Sequence, residues 1–129
     1  MKRAVAIALF CAVGGLARYY LSSWVNGLSD KVFPYGTLAV NVIGSYFIAL
    51  IMELSLTSPL ITPTLRIGLT VGLMGGFTTF SAFSYETYKL LENGRFLLAF
   101  ANIFVSVILC LLFLWLGLMT ARLMIQRGA

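Results

Sequence analysis

The chain has 129 residues, 60% of them hydrophobic and 10% charged, with a net charge of +5 and a mean hydropathy of +0.98. Soluble domains carry about a quarter charged residues, so this composition excludes an ordinary soluble fold and describes one integral membrane domain over residues 1–129. Histidine is absent and the two cysteines lie in apolar runs, which excludes a His/Cys metal cluster and a disulfide framework. The basic excess forms no block of the kind that binds nucleic acid.

Four apolar stretches follow one another, at about residues 4–25, 36–56, 65–91 and 96–124. Each can cross a hydrocarbon core of about 30 Å at a rise of 1.5 Å per residue. The connections "NGLSDKVFPY", "TSPLITPT" and "LENGR" are short and rich in turn and helix-stop residues. The expected fold is therefore an all-α membrane protein of four transmembrane helices.

The first stretch follows Lys2 and Arg3, which also suits a signal peptide. Its apolar character continues through "GGLARYYLSSWV" without a small-x-small cleavage site, so it reads as a retained span. Arg18, about two-thirds along it, either snorkels to the interface or lines an aqueous vestibule that attracts anions. Cys11 here, and Cys110 in the fourth stretch, read as packing residues.

In the second stretch Thr37, Asn41 and Ser45 share a helical face at four-residue spacing. They form either a hydrogen-bonding seam between helices or a row of donors along a pore.

The third stretch opens with Gly68, Gly72 and Gly76, a repeated small-xxx-small face that lets another backbone approach closely. Adjacent glycines at Gly75 and Gly76 weaken a helix by about 1 kcal/mol each, and a fully helical Leu65–Leu91 would measure about 40 Å, longer than the bilayer core. A break near Gly75–Thr79 is predicted. Carbonyls freed at membrane depth need protein, water or an ion, which points to a buried site where backbone oxygens hold a cation. Phe80 and Phe83 then share a face, ordinarily a packing pair. With Thr79, Ser84 and Ser106 nearby, their electropositive ring edges can instead face a small anion. Glu86 lies near the span's end, within reach of water or a partner.

With four spans both chain ends lie on one side of the membrane. Lys2, Arg3, Arg66, Arg122 and Arg127 share that side, against Lys31, Lys89 and Arg95 on the other, with Arg18 inside the first span near that second side. This bias is too weak to fix orientation under the positive-inside rule. Insertion both ways, and hence an antiparallel dimer, is allowed.

Nothing supports an enzyme: the sequence offers no nucleophile with a base and no carboxylate pair at one depth. Glu53 and Glu86 lie toward helix ends, which disfavours the alternative of a small dual-topology proton-coupled exporter. A neutral polar track suits passive conduction.

"GGLARY", "GTLAVNVIGS" and "GGFTTFSAFSYET" together resemble the CrcB/Fluc family of fluoride channels, and the similarity runs over essentially the whole chain. The resemblance implies passive, selective export of fluoride that lowers its cytoplasmic toxicity. It implies an antiparallel, dual-topology homodimer with two pores in the lipid of a bacterial inner (plasma) membrane. It also implies a structural sodium ion, not transported, at the dimer centre. By motif, the carbonyls of Gly75 and Thr78 match the sodium ligands, and Phe80 and Phe83 match the rings along the fluoride path. Asn41 matches the pore asparagine, Thr37 and Ser106 match polar track residues, Thr79 and Ser84 fall in the same track, and Arg18 matches a vestibule arginine. Ala82 departs from the hydroxylated residue common between the phenylalanines, and Asn102 stands where a tyrosine is often found. The resemblance assigns no role to Asn102, Glu86 or Glu53.

Overall fold

In lipid every backbone polar group must be satisfied within its own segment, and the four apolar stretches answer this as helices. The computed structural model describes residues 1–29 and 32–128, so Lys31 of the orientation count lies outside the described residues. Helix α1 is Lys2–Gly27 and α2 is Tyr35–Thr57. The third span runs in pieces: α3 (Pro63–Ile67), a π-helical stretch (Gly68–Met74), α4 (Gly75–Phe77) and α5 (Phe80–Glu92). Helix α6 is Phe96–Gly128. Among the described residues there is no strand. Four segments, Lys2–Gly27, Tyr35–Thr57, Pro63–Glu92 and Phe96–Arg127, are long and apolar enough to cross a membrane.

The boundaries have local causes. Thr62 Oγ1 accepts the N–H of Leu65 (3.2 Å) ahead of Pro63, so an N-cap and a first-turn proline open α3 together. Thr79 does the same for α5, accepting from Ala82 N–H (3.1 Å). At the other end of α5, Gly94 takes φ +70°, Arg95 N–H reaches Leu90 C=O (2.8 Å) and Gly94 N–H reaches Leu91 C=O (3.0 Å). That pair of bonds is a Schellman stop, and it turns the chain into α6.

The break is narrower than the sequence suggests. Gly75 and Gly76 are helical, and the irregular backbone is confined to Thr78 (φ −88°, ψ 160°) and Thr79 (φ −151°, ψ 115°). The reason lies in another helix. Asn41 of α2 accepts the N–H of Thr79 at Oδ1 (2.7 Å) and donates from Nδ2 to the Thr79 carbonyl (3.0 Å). This side chain pairs both backbone groups of one residue and so replaces the ladder that a continuous helix would supply. Gly76 serves packing instead, together with Gly72 and Gly14. A Cβ on Gly72 would sit 2.9 Å from the Ile7 carbonyl oxygen, and one on Gly76 would sit 2.6 Å from that of Cys11. A Cβ on Gly14 would collide with the Leu73 carbonyl oxygen. Helix α1 therefore crosses the third span backbone against backbone, as the small-xxx-small spacing predicts.

Helix α2 makes its most extensive contact along α6, where Gly117 lies against the Tyr46 carbonyl. Glu53 Oε1 accepts from Arg122 Nε (2.9 Å), which ties the ends of these two helices together and accounts for that carboxylate. Val40, Met74 and Phe77 form the buried centre, packed by Leu21, Ile43 and Leu73. Leu9, Val13, Leu111 and Trp115 point outward, as side chains facing lipid do.

Candidate functional site

The clamp at Thr79 sets the geometry of the site. Residue 79 opens α5, and the next turn carries Phe80 and Phe83, whose ring centroids lie 5.4 Å apart at an interplanar angle of 41°. Both border a cavity of about 300 Å³ that Asn41, Thr79, Ser106 and Cys110 also line. Asn41, Phe80, Phe83, Thr79 and Ser106, widely separated in the chain, thus meet at one place. Thr78 joins them, and Ser45, which donates to the Asn41 carbonyl (2.7 Å), lies there too.

Two further cavities lie toward the end of the molecule that holds residues 32–34 and 93–95. An inner chamber of about 260 Å³ is lined by Arg18, Asn26, Thr37, Thr79 and Glu86. It shares Thr79 with the aromatic cavity. A mouth of about 480 Å³ follows, lined by Asn26, Glu86, Lys89, Asn93 and Arg95. Neighbouring cavities share lining residues, Thr79 in one case and Asn26 with Glu86 in the other; basic residues and Glu86 line the outer two, and neutral donors with rings line the aromatic one.

Arg18 lines the inner chamber rather than snorkelling away from it, and its Nη1 approaches the Thr78 carbonyl at 3.4 Å. Thr37 also lies there, donating to Glu86 Oε1 (2.8 Å). The sequence puts Glu86 near a span's end, within reach of water or a partner, and Thr37 is one partner it has. The other oxygen, Oε2, is buried and has no donor among the described residues.

Ser84 is not brought to these cavities; it is exposed and donates to the Phe80 carbonyl one turn back (2.9 Å). Gly75 is exposed on the face of α4 away from α1. A continuous helix would send the Thr79 N–H to the Gly75 carbonyl. Asn41 takes that N–H, so this carbonyl is released at membrane depth.

Cys110 corrects the reading as plain packing, since it lines the aromatic cavity one turn beyond Ser106. The signal was present as the four-residue spacing Asn102, Ser106, Cys110 on one face of α6. Asn102, 1% exposed, donates to Thr87 Oγ1 (2.8 Å), and Thr87 Oγ1 in turn donates to the Phe83 carbonyl (2.7 Å). Ser106 Oγ approaches Asn102 Oδ1 at 3.4 Å. This network locks α5 to α6 behind the Phe83 ring.

Four membrane-capable helices, a broken third span held by an asparagine, and a polar and aromatic track beside it define a small integral membrane protein built around a polar path. The chain belongs to the CrcB-like family: the family described as "CrcB-like protein, Camphor Resistance (CrcB)" matches residues 5–118. A protein of Pelobacter propionicus named "Fluoride-specific ion channel FluC" is 66% identical over 128 residues, 99% of each chain. Proteins of the same name from Trichlorobacter lovleyi and Geotalea uraniireducens are 65% and 57% identical over 122 residues, 95% of this chain and 98% of theirs.

Proposed function

We propose that this protein is a fluoride channel of the bacterial inner membrane that lets fluoride leave the cell passively. The observation that carries the reading is the meeting of Asn41, Ser106, Phe80 and Phe83 at one cavity, in a chain 66% identical to a protein named as a fluoride-specific channel. Fluoride holds its water tightly. A path for it must replace those water contacts with short donors and yet bind weakly enough for release. Hydroxyl and amide groups with ring edges, in a cavity that no charged side chain lines, suit that task.

The functional unit is an antiparallel homodimer. Phe80 borders the cavity and is nevertheless 79% exposed, and Gly75, Ser81 and Ser84 are exposed in mid-span. Polar groups and open backbone at membrane depth need protein or water over them, and a second copy would supply the cover. A structural sodium ion fits the released carbonyl of Gly75 and the extended backbone at Thr78. These are neutral oxygen donors suited to a hard cation, and a second copy would complete the set. When bound, the ion supplies positive charge to carbonyl oxygens at the break, of which that of Thr78 is also approached by Arg18 Nη1 at 3.4 Å.

The test is efflux from proteoliposomes loaded with potassium fluoride, started by a potassium ionophore and read with a fluoride electrode. Fluoride leaves, while chloride stays in vesicles loaded with potassium chloride. Equal release of both anions, or of neither, overturns the reading.

A further inference from the structure

Two residues border both the mouth and the inner chamber, Asn26 and Glu86, and they form the neck between them. Beyond the neck on one side lie Lys89 and Arg95, and on the other Arg18. The neck itself brings in a carboxyl group. A unit negative charge about 4 Å from an anion costs about 1 kcal/mol in water and about 4 kcal/mol near a protein surface. An ionised Glu86 would oppose an anion where these two side chains border both cavities, and a donor there would ease its passage.

Asn26 is held so as to be that donor. It lies in the last turn of α1, and its Oδ1 accepts the N–H of Gly36 at the start of α2 (2.8 Å). Only the oxygen of an amide can accept, so this bond settles which way the group is turned. The two N–H bonds on Nδ2 have no partner among the described residues. The amide lies directly against the Gly36 backbone, where a Cβ at that position would sit 2.8 Å from both Nδ2 and Oδ1.

The geometry points to Asn26 as an anion-contacting residue of the path: its NH₂ group receives the dehydrating anion at the neck and offsets the Glu86 carboxyl. This rests on the fluoride-channel reading and adds to it a site outside the aromatic cavity. Asn26→Asp separates the two tasks of the side chain. The aspartate keeps an oxygen for the Gly36 N–H and so preserves the junction of α1 and α2. It replaces both donors with a second anionic oxygen beside Glu86.

The experiment compares wild type and Asn26→Asp in vesicles reconstituted at about one channel each, under the ionophore-started efflux above. Expected are an unchanged elution profile in detergent, the same fraction of vesicles that empty, and a fluoride rate per active vesicle at least tenfold lower. A rate within twofold of wild type overturns the proposal. A smaller fraction of active vesicles with an unchanged rate also overturns it, since that is what a purely structural role produces. Should Asn26→Asp not fold, Asn26→Ser takes its place, and an undiminished rate per active vesicle again overturns the proposal. Loss of efflux from wild type itself overturns the channel reading, and is distinguished by that control.

Discussion

Asn41 shows how one side chain carries two jobs. It lines the aromatic cavity and it also satisfies both backbone groups of Thr79. Asn41→Asp keeps the acceptor but sets a carboxylate oxygen against the Thr79 carbonyl, and leaves that carbonyl without its donor. A loss of about 1–3 kcal/mol follows. The measurable outcome is a lower melting temperature in detergent, together with fluoride efflux reduced at least tenfold by the charge on the path. Phe80→Ile and Phe83→Ile remove the rings while keeping apolar bulk; each is expected to cut efflux sharply with the elution profile unchanged, and wild-type rates from both would take the rings out of the mechanism. Cys110 faces the same cavity, so methyl methanethiosulfonate should slow efflux in wild type and not in Cys110→Ser. Equal inhibition of the two would assign the effect elsewhere, for instance to exposed Cys11.

Elements, in this molecule, meet through glycines. Helix α1 crosses the third span with Gly14 against the Leu73 carbonyl and Gly72 and Gly76 against α1 carbonyls. These neighbours are backbone and cannot rotate away as a side chain could. Gly14→Ala is therefore expected to destabilise by about 1–3 kcal/mol, the range for overpacking. Gly27→Ala, where a Cβ meets nothing within 4 Å, should leave the melting temperature unchanged. Equal melting of both variants would show that the crossing yields. The helical state of Gly76 follows from the same contacts: about 1 kcal/mol of unfavourable propensity is offset by the approach of α1. The π-helical stretch Gly68–Met74 lies in this crossing too.

For the whole molecule the exposed mid-span groups call for cover by protein or water. The basic residues divide weakly between the two sides, and a second, inverted copy would place the face bearing Phe80 and Ser84 against protein. A fusion of two reporters, each active on one side of the membrane, to the C-terminus is expected to light up both. Signal from one reporter alone would exclude the antiparallel dimer and leave the single-chain path to be completed in some other way. The mouth, inner chamber and aromatic cavity all belong to one chain, so an inverted pair would present one mouth to each side.

Composition and spacing by themselves determine the membrane class, the four spans, their short connections and the glycine face, because these follow from hydropathy and helical periodicity. The motifs also mark Asn41, Phe80, Phe83 and Ser106 as candidates. Only the tertiary structure decides where the third span breaks, since the cause is an asparagine 38 positions away in sequence. Tertiary structure alone also joins Thr37 to Glu86 across 49 positions, turns Cys110 into the cavity, and brings Asn26 and Glu86 to the same two cavities. Periodicity reports which residues share a face of one helix. It carries no information on which other helix that face meets, and the contacts of Asn41 with Thr79, Thr37 with Glu86 and Asn102 with Thr87 all cross from one element to another.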